Sequence, residues 1–360
     1  MIQSIKRKIY TLKRKYFSHA ILVEGILKGT KSSSTCLFID NSRFSEFMIA
    51  RMYEEPPSVL RKSILWIPGL VNRKYMESKS FDLCIAVLPK VYEPKVQGLY
   101  NYKCTEFVRQ VIDVSGSWDD VRNRFSKTKR KISNNFTEKF GLDYRISNDL
   151  HEFDYFYHHI FVPHVSKRFK TLSEIDSYQN MKRFFMKGGL LLVTKSNEVV
   201  AGSLFYTMDD ALVIYRTGVL GGNDSLIKSG AQQALYYFQI KYAMDLKLKL
   251  VDTMLSSSFL NDGVFNNKRQ WGAGVYPDIS SNNWIYFFKA QPSEMIANFF
   301  EINPLIVYSS EGLKGVIGVS DATHIPIESN HKLTYRYHTN GLDEFSIVTA
   351  TDTFELKNKN

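Results

Sequence analysis

Cysteine is scarce in this sequence, and its few copies form no paired motif. Cys36, Cys84 and Cys104 are far apart, and none belongs to a C-x-x-C element. Three cysteines cannot all pair within one chain, and their spacing does not match a zinc site. We therefore expect a reducing, cytoplasmic setting, with no disulfide scaffold and no cysteine-bound metal.

Long apolar runs and the common catalytic signatures are also missing. No stretch of about 18 apolar residues occurs, so we expect no membrane-spanning helix. The first residues are basic but lack the long apolar core of a signal peptide. There is no G-x-S-x-G, no H-E-x-x-H and no Walker loop. These absences argue against hydrolase, metalloprotease and P-loop functions.

The composition is that of a basic globular protein. The chain has 360 residues, of which 44% are hydrophobic and 14% aromatic. This composition excludes a disordered chain, and the length predicts about two domains. Lysine and arginine total 47 against 36 acidic residues, a formal net charge of +11. An excess of this size favours an anionic partner.

Two segments concentrate the positive charge. Residues 1–17 have the spacing of an amphipathic helix with one basic face, which leaves open a peripheral position at a membrane surface. A second helix begins at Ser117 and carries the densest cationic stretch in the chain. Its cations are Arg122, Arg124, Lys127, Lys129, Arg130 and Lys131. This stretch is either a solvated face or a binding face for phosphates, and both interpretations stay open.

Hydrophobic periodicity predicts an α/β layered protein. Short strands dominate residues 20–111, and a helix is expected over 149–168. The most regular stretch follows, with strands, helices and turns in a clear order. It reads as strands at 190–194, 199–207 and 211–217, a helix at 228–244, a strand at 248–254, a helix at 264–271 and a strand at 284–289. Such an order predicts a sheet covered by helices.

The helix over 149–168 ends in a polar, histidine-rich stretch. His158 and His159 are adjacent, so they point about 100° apart on a helix and do not share a ligand-binding face. We therefore expect no metal site here. Tyr157, His158 and Arg168 are instead candidates for the wall of a polar substrate site, with surface or capping roles as the alternative.

The order of these elements resembles the GNAT acyltransferase fold, in particular its Fem-like and cellulose-biosynthesis-associated acetyltransferase branch. The resemblance covers residues 118–290 and rests on short segments in a fixed order. These are VAGSLF (200–205), LVIYR (212–216), GAQQAL (230–235), Val251-Asp252, NDGVF (261–265) and KRQWG (268–272). It implies tandem GNAT-like domains with mixed, mostly antiparallel sheets flanked by helices. The expected bounds are a basic helix at 1–17, a degenerate first copy at 18–115, the acyltransferase domain at 116–310 and an extension at 311–360.

The resemblance implies acyl-CoA, typically acetyl-CoA, as cosubstrate. GNAT enzymes bind the coenzyme pyrophosphate at a glycine-rich turn that opens a helix. Here only Gly230 and the following alanine fit that turn, and Lys228 replaces its middle glycine. The resemblance therefore places donor binding at Lys228, Ser229, Gly230 and Asn261, with the Lys228 charge replacing part of the lost backbone approach.

The catalytic candidates come from the same resemblance. Lys268 lies where many GNAT enzymes have a tyrosine, and Fem-like relatives have a lysine in this element. It would stabilise the oxyanion or the substrate charge, or else cap its short helix. Asp252, expected at the carboxyl end of its strand where the sheet splays, would orient or deprotonate the amine. Tyr215 and Arg216 should alternate faces, so at most one of them would line the cleft.

Three functions remain open at this point. The first is N-acyl transfer from acyl-CoA to an amine of a sugar or of an envelope or secondary-metabolite precursor. The second is a Fem-type ligase that uses aminoacyl-tRNA, which the net charge of +11 favours. The third is a GNAT-like protein without catalysis that serves as a basic binding module. Strong salt dependence of RNA binding without turnover would identify the third.

Overall fold

The computed structural model describes residues 16–70, 81–169, 175–320, 336–342 and 344–357. The basic helix expected at 1–17 lies outside these residues, apart from its last two positions. The chain divides into two compact units. The first comprises the residues up to Val108, Ser256–Phe265 and the residues from Tyr276 onwards, and the second comprises Arg109–Leu255 and Asn266–Val275.

Strands and helices are interspersed along the chain. The strands are β1 (Phe17–Ile26), β2 (Ser33–Asp40), β3 (Ser58–Trp66), β4 (Leu83–Pro89), β5 (Tyr102–Cys104), β6 (Phe107–Asp113), β7 (Leu142–Ser147), β8 (Gly188–Lys195), β9 (Glu198–Met208), β10 (Ala211–Val219), β11 (Leu250–Ser257), β12 (Ala273–Tyr276), β13 (Asn283–Phe288), β14 (Leu305–Tyr308), β15 (Leu313–Gly318), β16 (Glu344–Val348) and β17 (Thr353–Lys357). The α-helices are α1 (Phe44–Met52), α2 (Ile67–Leu70), α3 (Glu93–Val96), α4 (Trp118–Asn123), α5 (Lys127–Ser133), α6 (Leu150–Tyr155), α7 (Val162–Phe169), α8 (Tyr178–Phe185), α9 (Asp224–Lys228), α10 (Ala231–Asp245), α11 (Gly263–Gln270) and α12 (Glu294–Ile302). A π-helical turn, Phe156–Phe161, joins α6 to α7.

The first unit is built on a six-stranded sheet in the order β3-β1-β2-β4-β13-β5. Strands β2 and β4 pair in parallel, whereas β1 pairs antiparallel with both of its neighbours. Successive residues of β13 pack on opposite faces, with Phe287 in one core cluster and Tyr286 in the other. This alternation follows the period-two geometry of a strand and buries both faces of the sheet. The same unit contains a four-stranded sheet in the order β14-β15-β16-β17.

The second unit is built on a seven-stranded sheet in the order β12-β6-β11-β10-β9-β8-β7. One face packs against α10 through a core that includes Leu191, Val193 and Leu235. The opposite face packs against the π-helical turn and α8 through a core that includes Leu192 and Phe156. Because β8 alternates its side chains, consecutive leucines and valines supply both cores.

Local sequence explains where the helices of the second unit begin. The Ser117 hydroxyl accepts a hydrogen bond from the backbone N–H of Asp120, and the Asp120 carboxylate accepts one from the backbone N–H of Ser117. This capping box starts α4. Ser126 then caps α5, so the single helix expected from Ser117 is two short ones. Pro163 lacks the N–H that an α-helix would use, and the π-helical turn directly before it accommodates this break.

The α/β class, with mixed sheets flanked by helices, is confirmed. The regular strand and helix order expected between 190 and 271 is also present. The compact units differ from the expected bounds of 116–310 and 311–360. The reason is that β13 pairs with β4 and β5 in the first unit, and β14–β17 belong to that unit as well. Within the described residues, no helix is both long and apolar enough to cross a membrane.

Candidate active site

The sheet of the second unit opens between β10 and β11. These parallel strands pair through only three residues, and the last pair is Val213 with Asp252. Strand β10 then continues to Val219, while β11 continues towards Leu255. Met254 takes a left-handed φ of 63°, which bends β11 just after the last pair. The result is a parting of two adjacent strands in the middle of a sheet.

A β-bulge in β10 brings Tyr215 and Arg216 to one carboxylate. The register with β9 shifts between Ile214 and Arg216. The Tyr215 hydroxyl donates to Asp176 Oδ2 at 2.6 Å, and Arg216 Nη2 lies 3.0 Å from the same oxygen. The expectation that these two side chains alternate faces is therefore wrong, because the extra residue of a bulge interrupts the alternation.

Burial, hydrogen bonds and a neighbouring charge together set the pKa values of this group. Burial alone would raise the pKa of Asp176, but bonds from Tyr215 and Asn180 and the charge of Arg216 outweigh it and lower that pKa. Asn180 Nδ2 donates to Asp176 Oδ1 at 2.7 Å. Burial, together with the bond to Asp176, raises the pKa of Tyr215 to about 12. At neutral pH the tyrosine is therefore a proton donor and the aspartate an anion that holds Arg216 in place.

Asp252 forms a second anchored carboxylate on the same face of the sheet. It is the third residue of β11, not a residue at its carboxyl end as expected, although it is the last to pair with β10. Its Oδ2 accepts from Arg109 Nε at 2.7 Å and also from Arg109 Nη2. Its Oδ1 accepts from the backbone N–H of Met254 at 2.8 Å. The two oxygens are thus engaged in holding an arginine and the bend of the strand.

An aromatic wall lies between the two carboxylates. The Phe184 ring stacks on Tyr215 with centroids 4.0 Å apart and contacts Tyr206 at 5.2 Å. Burial first, and then the charge of Asp252, raise the pKa of Tyr206, so this phenol is also neutral at physiological pH. The side chains near the parted strands therefore include protonated tyrosines and arginines that are held by carboxylates.

Lys268 reaches β11 from α11. The side chain is buried, with 4% of the residue exposed, and Nζ donates to the carbonyl oxygen of Leu255 at 2.9 Å. Leu255 lies three residues beyond Asp252 on β11, in the part of the strand that no longer pairs with β10. The ammonium thus provides a buried positive charge at the parted end of the strand.

The turn expected to hold the donor diphosphate is present but closed. The N–H groups of Ser229 and Gly230 donate within the turn, to Ser225 at 2.9 Å and Ile227 at 3.0 Å. Gly230 is buried with a left-handed φ of 94°, and a Cβ there would lie 3.3 Å from Phe136. Lys228 is exposed beside it. The turn therefore offers the charge of a lysine more readily than a cradle of free N–H groups.

Asn261 is held by structural partners in the first unit. Its Oδ1 accepts from Arg51 Nη2 at 2.7 Å, and its Nδ2 donates to the Ile302 carbonyl at 2.8 Å. Lys228, Ser229 and Gly230 belong to the second unit. Asn261 therefore belongs to a different compact unit from the three residues with which it was predicted to bind the donor, and its part in donor binding stays a prediction.

Two of the three predicted substrate-wall residues lie beside the Asp176 group. The Tyr157 hydroxyl donates to the backbone carbonyl of Asp176 at 3.1 Å. His158 is exposed, and its ring stacks on Tyr178 with centroids 6.1 Å apart. Arg168 is exposed further along α7, next to a buried histidine, His164, whose pKa is lowered to about 4 by burial and then by the Arg168 charge. Within the described residues, no cluster of three or more histidine, cysteine or acidic residues forms a metal site.

Lys129 is a buried lysine that the sequence pattern assigned to the basic face. Only 6% of it is exposed, and Nζ donates to Asn267 Oδ1 at 2.7 Å and to Gln233 Oε1. The ammonium also lies 5.3 Å from the centroid of the Trp271 ring. Burial lowers its pKa to about 8. The side chain thus ties α5 to α10 and to the helix that carries Lys268.

Sequence reasoning missed Arg109, Asp176 and Asn180. Each is an isolated polar residue whose partner is distant in the sequence, 143 positions away for Arg109 and 39 for Asp176. One local signal exists, because Asp176 directly precedes the serine that caps α8, and Asn180 follows within the first turn. That spacing predicts a helix start but not a contact with β10.

Comparison with known proteins gives distant structural likenesses. No family model matches the chain, and no curated protein does. Among solved structures, the chain is similar to L-PGS from Bacillus licheniformis, at 9% identity and a TM-score of 0.38 over 74% of this chain and 83% of that one. It is similar to FemX at 10% identity and a TM-score of 0.39, over 74% and 84% of the two chains. A GCN5-related N-acetyltransferase from Anabaena variabilis ATCC 29413 matches at 10% identity and a TM-score of 0.28, over 98% and 78%.

Proposed function

We propose that the second unit is an N-acyltransferase that moves an acyl group from an activated donor to an amine. The observation that carries this proposal is the parting of β10 and β11 after Val213 and Asp252. Polar side chains are anchored on both sides of that parting, with Arg216 on β10 and Arg109 on β6 held by carboxylates. Two parted strands with arginines fixed beside them are suited to bind an extended, partly anionic donor.

The edge of β10 supports acyl-CoA as the donor. Beyond Val213, the β11-facing side of β10 has no strand partner among the described pairings. Its N–H and C=O groups can pair with an extended chain that carries amides, as the pantetheine arm of coenzyme A does. Arg216 has 36% of its side chain exposed, so its guanidinium remains accessible to an anionic part of the donor.

The reaction forms an N–C bond and breaks the C–S bond of the thioester. The amine nitrogen attacks the acyl carbonyl, and the departing thiolate takes up the proton that the nitrogen loses. We assign Lys268 to the negative charge that develops on the carbonyl oxygen, because its ammonium is buried and bound to Leu255 at the parted end of β11. Asp252 attracts and orients the amine. It is not the base in this proposal, since both its oxygens already accept hydrogen bonds.

The acceptor must carry the amine that attacks the acyl carbonyl. The proposed acceptor is an amine of a sugar or of an envelope or secondary-metabolite precursor, and Tyr157 and His158 supply a polar wall beside the Asp176 group. Hydroxyl and imidazole groups are suited to the hydroxyls of a sugar.

Aminoacyl-tRNA is the second candidate donor. The observation in its favour is the closed turn at Gly230, whose N–H is used internally and whose α-carbon packs against Phe136. The N–H groups of Ser229 and Gly230 are therefore not available to a diphosphate. Lys127 and Lys131, exposed on α5, provide positive charge for a nucleic-acid backbone instead. In this case the donor bond that breaks is the ester C–O bond.

Turnover by a Lys268→Met variant tests the proposal. With acetyl-CoA and a panel of amino sugars, or with aminoacyl-tRNA, we expect kcat to fall about 100-fold, as is typical when an oxyanion-stabilising group is removed. Lys187→Met, an exposed lysine of the same unit, is the matched control and should retain full activity. Melting temperatures of both variants separate loss of chemistry from loss of fold.

Each outcome has a definite meaning. A Lys268→Met enzyme that folds and turns over as fast as the control would remove Lys268 from the mechanism. A wild-type protein that transfers acyl groups from neither donor to any acceptor in the panel would contradict the proposed function itself. Activity with only one donor would decide between the two candidates.

A further inference from the structure

The outer edge of the sheet in the first unit carries an unusual set of exposed apolar side chains. Strand β3 is the last strand on that side. Ile64 is 67% exposed and Trp66 is 58% exposed, and Phe17 of the neighbouring β1 is 46% exposed. Large aromatic and branched side chains are seldom left in water on an edge strand, because such an edge invites association.

Strand register joins these side chains into one strip. Phe17 pairs with Trp66, and His19 pairs with Ile64, two residues further along each strand. Residues two apart on a strand share a face, so the aromatic pair and Ile64 project to the same side. We call Phe17, Ile64, Trp66 and two cations that precede Ile64 on β3, Lys62 on the same face and Arg61 on the opposite one, the β3 edge surface.

Positive charge borders the apolar strip. Arg61 and Lys62 are both exposed on β3, and neither forms an ion pair with another described residue. An apolar strip with cations at its border is complementary to a lipid surface, in which anionic headgroups cover apolar acyl chains.

We propose that the β3 edge surface docks on the surface of an anionic phospholipid bilayer. Trp66 and Phe17 enter the headgroup region, because aromatic side chains are favoured at the membrane–water interface. Arg61 and Lys62 contact lipid phosphates. This proposal rests on the first unit alone and does not depend on the acyltransferase assignment.

A second copy of the chain fits this edge less well. Lys62 is the middle residue of β3, so antiparallel pairing of two such strands about their centre would set Lys62 against Lys62. Like charges directly opposite each other destabilise a strand pair. The register of β1 and β3 also shifts between Leu22 and Val23, which interrupts the regular edge that a partner strand would need.

Vesicle sedimentation tests the proposal with the full chain. We expect binding to vesicles that contain phosphatidylglycerol, weak or no binding to phosphatidylcholine alone, and weakening as salt rises. Arg61→Gln with Lys62→Gln should weaken binding roughly 30-fold, since each cation near an anionic surface contributes about fivefold. Ile64→Ser with Trp66→Ser should weaken it at least about tenfold.

Two controls make the result specific. Ile279→Ser removes an 88% exposed isoleucine elsewhere in the same unit and should leave vesicle binding unchanged. Trp66→Phe should still bind but lose the quenching of tryptophan fluorescence by brominated lipid, because Trp118, Trp271 and Trp284 are at least partly buried.

The proposal is overturned by any of three results. These are equal binding to neutral and anionic vesicles, equal loss of binding in Ile279→Ser and the double serine variant, and salt-sensitive binding of RNA but not of vesicles. Concentration-dependent dimerisation that the double serine variant abolishes, without vesicle binding by the wild type, would assign the surface to a second copy instead.

Discussion

At the residue scale, the candidate site contains arginines that are already paired with carboxylates. Asp176 holds Arg216, and Asp252 holds Arg109, each within hydrogen-bonding distance. Such pairs cost desolvation free energy and repay it only when their geometry is well satisfied, as it is here. These ion pairs hold each arginine side chain in a fixed position beside the parting of β10 and β11.

The sequence identified Tyr215 and Arg216 as candidates but not the residue that joins them. Asp176 lies 39 positions from Tyr215, and its local context indicates only the start of a helix. A single sequence contains no signal for such a contact. The same reason explains why the sequence assigned Lys129 to a cationic helix face and not to the interior, because its burial depends on Gln233 and Asn267, more than a hundred positions away.

Lys129 should make stability depend on pH in the alkaline range. Its folded pKa of about 8 lies below the ordinary value of 10.5, so between these values the folded state releases a proton that the unfolded chain keeps. The free energy of unfolding should therefore rise with pH across this interval, by roughly 2–3 kcal/mol relative to a variant without the group. Urea unfolding of wild type and Lys129→Met at about pH 7 and about pH 10 measures that difference.

Lys127→Met is the matched control for this prediction, because Lys127 is exposed on the same helix. It should retain the wild-type rise in stability. If Lys129→Met shows the same rise as wild type, Lys129 does not carry a lowered pKa in the folded state.

At the element scale, strands and helices of the second unit followed their hydrophobic periods closely. Strands β8 to β10 and helix α10 lie where the alternation and the helical spacing predict them. The hydrophobic pattern did not predict two features. These are the bulge at Tyr215 and the break between α9 and α10 at Ser229 and Gly230. Both are shifts of one or two residues that depend on packing with neighbouring elements, so the sequence periodicity does not register them.

Gly230→Ala should destabilise this break. The residue has a φ of 94°, and the added Cβ would lie 3.3 Å from the Phe136 ring. The left-handed backbone and the close contact together should cost about 1–3 kcal/mol of unfolding free energy. Gly263→Ala, at the start of α11 with no atom within 4 Å of an added Cβ, is the control and should be nearly neutral. Equal stability of the two variants in urea unfolding would show that the turn is not strained.

At the scale of the whole molecule, the sequence indicated an α/β chain of about two domains but not how its segments are shared between them. Strand β13 completes a sheet with β4, about two hundred positions earlier in the chain. The segment Ser256–Phe265 likewise belongs to the first unit although it lies between parts of the second. Apolar strands look alike in sequence whichever sheet they join, so the expected bounds followed chain order where the fold does not.

Hydrogen exchange along β10 tests the central claim most directly. If the parting of β10 and β11 holds an extended acyl donor, backbone amides in 214–219 should gain protection as acetyl-CoA or aminoacyl-tRNA is added, and the gain should saturate. Arg216→Gln should raise the donor concentration that gives half-maximal protection about tenfold, because it removes a charge-assisted contact. The control Arg183→Gln, at an exposed arginine, should leave that concentration unchanged. Saturable protection confined to 214–219 and neighbouring residues of β11 is the predicted result. Saturable donor binding that protects other segments and leaves 214–219 unchanged would contradict the account.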